Sequence, residues 1–368
     1  MLKKEKHCMN RNNFCIILAG GIGVRLWPVS RQSEPKQFVD FLGSGESMLQ
    51  TTYRRFRKII DEDNIIVVSN IKYKGLVAKQ LPNLKSENLL LEPMRRNTVA
   101  SATWATICIK QRNPNANIIV APVDQLITHE GNFADDMTIG LDYVGKHKRL
   151  LTIGVVPTRP ETAFGYIQMG DEIESDIFKV KSFTEKPESQ FARMFLESKE
   201  FLWNTGLFLW NVNTFMDAIK KHIPDAIQIL TVAQERLENN ESMESIIDDM
   251  FATSPNLSIE VGLLEKADNV DVMLCHFNWI DIGTWGALYD AQPKDENKNV
   301  TTNSKSMMYD CRNCIVQVPK DKIAVVQGLD GYLIAEKDNV LIICKKNDQA
   351  SIRKFVNDAE INLGEDYV

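Results

Sequence analysis

A glycine-rich turn near the N-terminus carries the residues whose types and spacing most clearly indicate chemistry. The run FCIILA leads into Gly20, Gly21 and Gly23, and Arg25 and Lys36 follow within AGGIGVRLWPVSRQSEPKQF. Because glycine has no Cβ, the backbone N–H groups of such a turn can approach a phosphate or a base closely. The pattern has neither the GKS or GKT ending of a P-loop nor the GxGxxG spacing of dinucleotide-binding proteins. Taken alone, it is also compatible with a tight turn that exposes an arginine and a lysine.

Further motifs follow this turn along the chain. They are LEPMRRNTVASA from Leu91, APVDQLI from Ala121, FGYI from Phe164, FTEKP from Phe183, WNTGLFLW from Trp203 and WIDIGTW from Trp279. Together with the glycine-rich turn, they resemble the signature of the sugar-phosphate nucleotidyltransferases. The variants LWPVSR and PKQF are similar to the mannose-1-phosphate guanylyltransferase branch of that family. The matches stand in the family's order and cover nearly the whole larger domain, which chance similarity does not explain.

The resemblance implies a reaction between two anions. A sugar 1-phosphate oxygen attacks the α-phosphorus of a nucleoside triphosphate in line, and pyrophosphate leaves. In this branch the substrates are GTP and α-D-mannose 1-phosphate, and the products are GDP-mannose and pyrophosphate. Such an enzyme needs no nucleophilic side chain, and no convincing Ser/His/Asp or Cys/His arrangement stands among the five histidines.

Two aspartates are candidates for holding Mg²⁺, which prefers oxygen ligands and keeps several waters. Asp124 follows the strand-like run NIIVAPV. A carboxylate there fits the crevice at the carboxyl end of a strand better than the core. The resemblance assigns the second metal-ligand position to Asp281, before the turn IGTW. Taken singly, either aspartate could instead be a helix cap or a turn residue.

Cations and backbone groups are then expected around the phosphates. The resemblance places Arg25 and Lys36 on the triphosphate and Lys186, in FTEKP, on the sugar phosphate, as catalytic residues. In isolation each lysine would be interpreted as a solvated surface charge. The resemblance further predicts nucleotide binding by the glycine-rich turn and the RRNT segment, through Gly20, Gly21, Gly23, Arg96, Asn97 and Thr98. The choice of guanine rests on the resemblance alone, through WNTG and EPMRRNT.

The predicted sugar-phosphate-binding residues are Gly165, Glu185, Asn204, Glu260 and Lys266. Gly165 allows the backbone to approach a sugar ring, and Glu185 and Asn204 can hydrogen-bond to its hydroxyl groups. Glu260 and Lys266 belong to SIEVGLLEK, where the family usually has aspartate at the position of Glu260. Glutamate is one methylene longer than aspartate, so the carboxylate would shift and affect which sugar is preferred.

Nearby tryptophans and departures from the family pattern add detail. Trp203, Trp210 and Trp285 stand beside these motifs, and each could line the sugar pocket, although core packing is the expected role. Val24 replaces the small hydroxyl residue that usually precedes the arginine, and PVDQ replaces PSDH while the aspartate remains. Backbone groups can make most of the phosphate contacts that the hydroxyl would have shared.

The elements that must position these residues alternate between strand-like and helix-like patterns from Phe14 to about Asp290. FCIILA, NIIVVSN, ENLLLEP, NIIVAPV and LLTIGVV are typical of central strands. MLQTTYRRFRKII and TVASATWATICIK have apolar residues at helical spacing. The alternation predicts an α/β fold with a mixed, mostly parallel sheet flanked by helices. The resemblance identifies it as a Rossmann-like nucleotidyltransferase domain, which we place at residues 1–291.

A small second domain is predicted at residues 292–368. The segment AQPKDENKNVTTNSKS is polar and rich in structure breakers, as a linker is. NCIVQVP, KIAVVQG, GYLIAEK and NVLIICK are typical of short strands, and QASIRKFVNDAE of a final helix. The resemblance implies a small all-β domain that is like a left-handed β-helix. Its exposed strand edges favour a homodimer.

Length and composition limit the other possibilities. The 368 residues exceed the roughly 250 to 300 of a single core, which favours two unequal domains. A net charge of −6 argues against a general nucleic-acid-binding protein. The apolar runs are far shorter than the roughly 20 residues of a membrane span, and the N-terminus has no export pattern, so we expect a cytoplasmic protein without a membrane partner. The seven scattered cysteines favour reduced thiols over a disulfide framework.

Two alternatives to this function remain open. A different base or sugar, such as UTP, dTTP, ATP or glucose 1-phosphate, would leave the chemistry unchanged. A catalytically silent subunit that binds a nucleotide sugar and regulates a partner would be favoured if a metal ligand or a cation were missing. However, Arg25, Lys36, Asp124, Lys186 and Asp281 are all present. We expect a single activity, because the sequence ends before the isomerase domain that longer relatives append.

Overall fold

The computed structural model of the chain describes residues 10–368. Residues 1–9 lie outside it, and with them Cys8 and most of the segment on which the export prediction depends. The cysteines of the described part are free thiols. Within residues 10–368, no helix combines the length and the apolar character needed to cross a bilayer. The predicted location in the cytoplasm stays a prediction.

Strands in the described residues form one large sheet and three small ones. In chain order the strands are β1 Asn13–Ala19, β2 Ile65–Asn70, β3 Leu89–Glu92, β4 Asn117–Pro122, β5 Gln125–Thr128, β6 Leu150–Val155, β7 Tyr166–Glu174, β8 Ile177–Thr184, β9 Phe201–Asn211, β10 Val270–Leu274, β11 Asn278–Asp281, β12 Val300–Thr301, β13 Lys305–Tyr309, β14 Ile315–Gln317, β15 Ile323–Gln327, β16 Tyr332–Lys337 and β17 Val340–Lys345. The α-helices are α1 Met48–Phe56, α2 Lys74–Gln80, α3 Asn97–Arg112, α4 Glu130–Lys146, α5 Ser189–Ser198, α6 Val212–His222, α7 Pro224–Glu238, α8 Met243–Thr253, α9 Trp285–Ala291 and α10 Gln349–Leu363.

One half of the large sheet is parallel, in the order β3-β2-β1-β4, as the alternating pattern predicts. Apolar and β-branched residues dominate these strands because both faces of the sheet are covered. Ile16 lies in one apolar layer with Trp104 of α3. The next residue, Ile17, lies in the opposite layer with Leu49 of α1 and Phe133 of α4. Burial of apolar surface contributes about 25 cal/mol per Å² to stability. The two apolar layers therefore stabilise the parallel strands and fix the position of their carboxyl ends.

The other half of the large sheet has the order β9-β6-β10-β8-β7 and is mostly antiparallel. β9 pairs antiparallel with both β4 and β6 and separates two strands that a continuous βαβ pattern would place together. The motif WNTGLFLW lies within β9, where most residues are buried. An uninterrupted apolar run does not reveal strand direction, because both faces are covered. The α/β class is therefore confirmed, while the sheet is less parallel than expected.

A two-stranded antiparallel ladder joins β5 and β11 beside the carboxyl end of β4. In this ladder Asp281 stands opposite Gln125. The N–H of Ile282 continues the contact by donating to the carbonyl of Asp124 at 2.8 Å. The ladder brings two segments that are distant in the sequence to the same edge of the large sheet.

The C-terminal part contains two small sheets, β12-β14-β16-β17 and β13-β15, and the final helix α10. The predicted strands correspond to β14 to β17, and the predicted helix to α10. β12 lies within the segment interpreted as a linker, and β13 overlaps its end. These sheets do not establish a left-handed β-helix. The domain boundary at residue 292 also stays a prediction.

One apolar cluster joins the C-terminal sheets to the rest of the protein. Ile315 and Leu333 are buried in it with Trp27 and Trp285. The indole N–H of Trp27 donates to the carbonyl of Tyr367 at 2.8 Å, and that of Trp285 to the carbonyl of Trp27 at 3.0 Å. The segment after the glycine-rich turn is thus anchored from the C-terminal side.

Candidate functional site

Two adjoining cavities open where β1 and β4 end. The large cavity has a volume of about 420 Å³ and the small cavity about 200 Å³. Leu18, Thr98, Pro122 and Asp124 line both of them, so the two cavities meet at the carboxyl end of β4. This edge of the sheet is where ligands bind in open α/β folds.

The glycine-rich turn borders the large cavity and holds Lys36. Gly20 and Gly21 line the cavity directly after β1. A Cβ on Gly20 would lie 3.3 Å from the carboxylate of Glu92, whereas one on Gly21 would meet nothing within 4 Å. Gly23 is not part of the lining: its φ is +73°, and a Cβ there would approach the Lys36 side chain to 2.8 Å. Gly23 thus packs against Lys36, and its predicted contact with the nucleotide stays a prediction.

Arg96 lines the large cavity just before α3, but its guanidinium is already engaged. Nε donates to the carbonyl of Phe251 at 2.9 Å, and Nη2 to the carbonyl of Ala252 at 3.0 Å. Arg96 therefore connects the start of α3 to the end of α8. Arg95 lines the same cavity and is exposed. Arg95 was not among the predicted site residues, because nothing in RRNT distinguishes two adjacent arginines.

Asn97 and Thr98 complete this wall of the large cavity, where the sequence analysis places them. Asn97 has a φ of +63°, and its Oδ1 accepts a hydrogen bond from the N–H of Thr98 at 2.9 Å. The hydroxyl of Thr98 accepts from the N–H of Ile259 at 2.9 Å. Local hydrogen bonds thus set the conformation of both residues.

Glu92 is a buried carboxylate at the end of β3 that the sequence analysis did not select. It lines the large cavity with 6% of its surface exposed and accepts a hydrogen bond from the hydroxyl of Ser101. Burial raises its pKa from 4.5 to about 7, and the hydrogen bond from Ser101 and the charge of Arg95 offset this only in part. Burying an acid is costly, so its place in a cavity wall indicates a ligand-facing role. The signal was present in the sequence, since Glu92 follows an apolar strand as Asp124 does.

Asp124 and Asp281 come together through the β5–β11 ladder and both line the small cavity. The ammonium of Lys36 forms an ion pair with Asp124. Burial alone would raise the pKa of Asp124, but the charge and hydrogen bond of Lys36, together with a backbone hydrogen bond and the charge of Arg25, lower it. Among residues 10–368, Asp281 has no basic nitrogen within 4.0 Å. Burial and the charge of Asp124 raise the pKa of Asp281 to about 6.

Arg25 lies beside Asp281, in the short turn Val24–Leu26. A Cβ on Gly283 would lie 2.9 Å from Nη2 of Arg25 and 3.1 Å from Oδ1 of Asp281. A larger residue at position 283 would require the Arg25 or Asp281 side chain to shift. Lys36 thus pairs with Asp124 at the junction of the cavities, and Arg25 lies beside Asp281 but lines neither cavity.

The carboxylates of Asp124 and Asp281 fit a hard divalent cation. Mg²⁺ is usually held by one or two carboxylates, with waters and substrate phosphate oxygens completing its shell. The raised pKa of Asp281 has the charge of Asp124 among its causes, so the two acids repel each other. A divalent cation between them would remove that repulsion.

The small cavity presents hydrogen-bonding groups that suit hydroxyls. A Cβ on Gly165 would lie 2.6 Å from Oε2 of Glu185, so a larger residue would displace this carboxylate. Oε2 is buried and has no hydrogen-bond partner within the described part of the chain. Asn204 accepts from the hydroxyl of Thr152 at 3.0 Å and donates to Glu260 at 3.3 Å. Oε2 of Glu185 and the Asn204–Glu260 pair thus offer hydrogen-bonding groups to a ligand in the small cavity.

The other residues predicted for the sugar phosphate are separated in the structure. Lys186 lines the small cavity, pairs with Glu185 and has 62% of its side chain exposed. Glu260 also lines it, and burial raises the pKa of this acid. Lys266 is exposed and lines neither cavity. Lys266 follows the π-helical turn Glu260–Leu264, and we do not retain it in the site because it lines neither cavity.

Aromatic residues close one side of the small cavity. Trp279 and Phe164 line it with ring centroids 5.1 Å apart. Trp203 packs on Phe164 at 5.3 Å and does not line the small cavity, while Trp210 and Trp285 are fully buried. The expected core role therefore describes these last three tryptophans. The sequence analysis missed Trp279 and Phe164 as individual site residues, although both stand within its motifs.

Comparison with known proteins connects this site to one family. The family model for nucleotidyl transferases matches residues 14–298. A mannose-1-phosphate guanylyltransferase from Klebsiella pneumoniae is 30% identical over 357 residues, which cover 96% of this chain and 75% of that protein. A mannose-1-phosphate guanylyltransferase from Salmonella montevideo is 33% identical over 362 residues, with the same shares of both chains.

A solved structure is similar over almost the whole chain. It is that of a protein named mannose-1-phosphate geranyltransferase from Thermus thermophilus. The TM-score is 0.84 at 26% identity, and the match covers 95% of this chain and 99% of the other. The similarity therefore includes the C-terminal sheets as well as the large sheet.

Proposed function

The chain belongs to the nucleotidyl transferase family, and we propose that it transfers GMP from GTP to α-D-mannose 1-phosphate, forming GDP-mannose and pyrophosphate. The observation that carries the proposal is the Lys36–Asp124 ion pair at the junction of two cavities, with Asp281 in the lining of the small cavity and Arg25 beside Asp281. The relatives named mannose-1-phosphate guanylyltransferase support the choice of substrates.

We assign the nucleotide to the large cavity. Its volume of about 420 Å³ lies in the range of about 300 to 1,000 Å³ that small-molecule sites occupy. Gly20 and Gly21 allow the backbone to approach the ligand, and Lys36 lies at the junction with the small cavity. A triphosphate whose α-phosphorus reaches the junction would place its base toward Glu92 and the start of α3.

Glu92 is our candidate for recognising guanine. Guanine presents two adjacent donors, N1–H and the N2 amino group, whereas an ionised carboxylate only accepts. Adenine, cytosine and uracil place an acceptor next to their donor and would therefore repel one carboxylate oxygen. The raised pKa of Glu92 means that guanine binding must stabilise the ionised form, which its two donors do.

We assign mannose 1-phosphate to the small cavity. The buried Oε2 of Glu185 and the Asn204–Glu260 pair supply acceptors and a donor for ring hydroxyls. Lys186 supplies a positive charge for the phosphate, and its exposure leaves it free to move toward a ligand. The volume of about 200 Å³ suits a monosaccharide better than a nucleotide.

The side chains must align two anions and reduce their mutual repulsion. Lys36 and Arg25 neutralise the triphosphate and the departing pyrophosphate, and Lys186 orients the attacking phosphate oxygen for in-line displacement. Asp124 and Asp281 would hold Mg²⁺, which supplies electrostatic stabilisation of the charge on the phosphate oxygens. The substrate's own oxygen is the nucleophile, so no covalent intermediate with the protein is needed.

Pyrophosphate release from a panel of four nucleoside triphosphates and several sugar 1-phosphates tests the proposal. We expect the highest kcat/KM for GTP with mannose 1-phosphate. A preference for another pair would change the substrates that we assign but would leave the assigned reaction, nucleotidyl transfer, unchanged. No release from any pair, together with tight binding of GDP-mannose, would overturn the proposal in favour of a silent regulatory subunit.

We also propose that the C-terminal sheets form a small β-helix-like domain that joins two copies into a homodimer. The parallel pairings β12–β14–β16 and β13–β15 support the β-helix. Exposed apolar side chains of Met307, Tyr309, Ile323 and Val325 support the dimer. Light scattering at micromolar concentration should give twice the mass of the chain, and the mass of a single chain would contradict this.

A further inference from the structure

The ion pair between Lys36 and Asp124 puts a side-chain cation on a carboxylate that we assign to the metal. Nζ of Lys36 contacts Oδ2 of Asp124, and the exposed fractions of the two side chains are only 12% and 22%. By contrast, the surface pair of Lys85 and Asp63 has exposed fractions of 53% and 61%. Water therefore screens the site pair far less than a surface pair.

The fold holds Lys36 in this position. The stem of the lysine packs against Gly23, where a Cβ would lie 2.8 Å from Cγ and from Cδ. Gly23 has a φ of +73°, a conformation that glycine adopts without strain. The backbone of Lys36 is fixed as well, in the short turn Lys36–Phe38. The contact with Asp124 is therefore built into the glycine-rich turn.

We propose that Lys36 is a built-in counterion that a divalent metal must displace from Asp124, and that its displacement frees the ammonium for the triphosphate. The inference rests on the proposed function, which makes Asp124 a metal ligand and GTP a substrate. Metal and triphosphate both favour the state in which Lys36 has left Asp124. Each ligand must then increase the affinity of the other by the same factor.

The competition is specific to one of the two carboxylates. Asp281 has no basic nitrogen within 4.0 Å in the described chain, and Arg25 lies beside it without forming an ion pair. Removing Arg25 takes a positive charge from the same site but leaves the Lys36–Asp124 contact in place. Arg25 therefore provides a matched control for simple charge repulsion.

Binding of Mn²⁺ to metal-free protein, without nucleotide, tests the inference by electron paramagnetic resonance. We expect Lys36→Met, which keeps most of the stem, to tighten Mn²⁺ binding about tenfold or more, the scale of one charge-assisted hydrogen bond. Arg25→Met should tighten it less than about threefold by the same scale, and Lys85→Met should not change it. In EDTA, metal-free GTP should bind Lys36→Met more weakly than wild type.

Unchanged or weaker Mn²⁺ binding by Lys36→Met, or equal tightening by Arg25→Met, would overturn the inference. Asp124→Asn separates this failure from failure of the proposed function. If Asp124→Asn leaves Mn²⁺ binding intact, the metal assignment is wrong and the inference fails with it. If Asp124→Asn weakens binding but Lys36→Met does not tighten it, only the inference fails. Lys36→Gln provides a second variant in case the methionine variant does not fold, which thermal unfolding would reveal.

Discussion

The two cavities that meet at Asp124 are built from the chain in different ways. The large cavity takes most of its lining from segments that follow β1 and β3 in the parallel half of the sheet, such as Gly20 and Arg95. The small cavity takes its lining mainly from the antiparallel half, through residues such as Gly165 and Asn204, and the separate ladder strand β11 adds Trp279 and Asp281. The parallel half contributes mainly residues that follow its strands, whereas the antiparallel half contributes residues of β9 and of the loops beside β7 and β8.

The two cavities also differ in the charged side chains that line them. Lys36, Arg95 and Arg96 line the large cavity, with Glu92 and Asp124 as its acids. The small cavity is mainly acidic: it combines Lys186 with the carboxylates of Asp124, Glu185, Glu260 and Asp281. Cations suit phosphates, and carboxylates suit hydroxyl donors. Substitutions of side chains that line one cavity alone should therefore affect one substrate, whereas substitution of Asp124, which lines both, should affect both.

The largest effect is expected from Asp124→Asn. Loss of this carboxylate should lower kcat about 10³-fold, because it removes charge stabilisation shared by both substrates. Steady-state kinetics with each substrate varied in turn measures the effect, with the exposed Asp321→Asn as a control. A change confined to the KM of one substrate would place Asp124 in one cavity only.

Lys186→Met should separate the two cavities. We expect kcat/KM for mannose 1-phosphate to fall about 10²-fold, the scale of one electrostatic donor, while the KM for GTP stays unchanged. Lys181→Met changes an exposed lysine on β8, the strand that precedes Lys186, and should have no effect. An equal loss of affinity for GTP would contradict the assignment of Lys186 to the sugar phosphate.

Glu92→Gln should stabilise the ligand-free protein at alkaline pH. The folded-state pKa of about 7 lies above the ordinary 4.5, so Glu92 ionises more readily in the unfolded protein. Part of the free energy of unfolding is therefore lost as the pH rises from about 4.5 through about 7. The variant should recover up to about 3 kcal/mol at pH 9 and nothing below pH 4. Urea unfolding at both pH values measures this, with the exposed Glu87→Gln as a control. An equal gain at both pH values would show that ionisation is not the cause.

The same variant should weaken recognition of the base. Glu92→Gln should lower kcat/KM for GTP about 10- to 100-fold, because the amide presents a donor to one of guanine's two donors. The KM for mannose 1-phosphate should not change, and ATP should be affected less than GTP. Competition between GTP and ATP measures the discrimination. Unaltered discrimination would remove Glu92 from the base site.

Gly165→Ala should give the smallest effect. The new Cβ would lie 2.6 Å from Oε2 of Glu185, so the carboxylate must shift within the small cavity. We expect the KM for mannose 1-phosphate to rise about tenfold and the KM for GTP to stay constant. Gly131→Ala is the matched control, since a Cβ there meets nothing within 4 Å. An unchanged KM for mannose 1-phosphate would show that Glu185 does not contact the sugar.

Local patterns were sufficient to predict the strands β1 to β4 and β6, the helices α1 and α3, and the motifs at the strand ends. Apolar runs of strand length and helical spacing are properties of neighbouring residues, so they can be recognised without a structure. The same holds for the glycine-rich turn and for Asp124 after β4. Sequence order could not show that Gly23 packs on Lys36 or that Lys266 lies away from the cavities, because both depend on where the chain turns.

The chemistry of the site was decided by tertiary contacts. Asp281 reaches Asp124 only through the β5–β11 ladder, and the insertion of β9 sets the position of the small cavity. Burial gives Glu92 its raised pKa, and the carbonyl groups that end α8 engage Arg96 while Arg95 stays exposed. By itself the sequence determined which residue types were available at the strand ends. Folding decided which of these residues come into contact, because charge interactions and burial both depend on which groups lie close together in the folded protein.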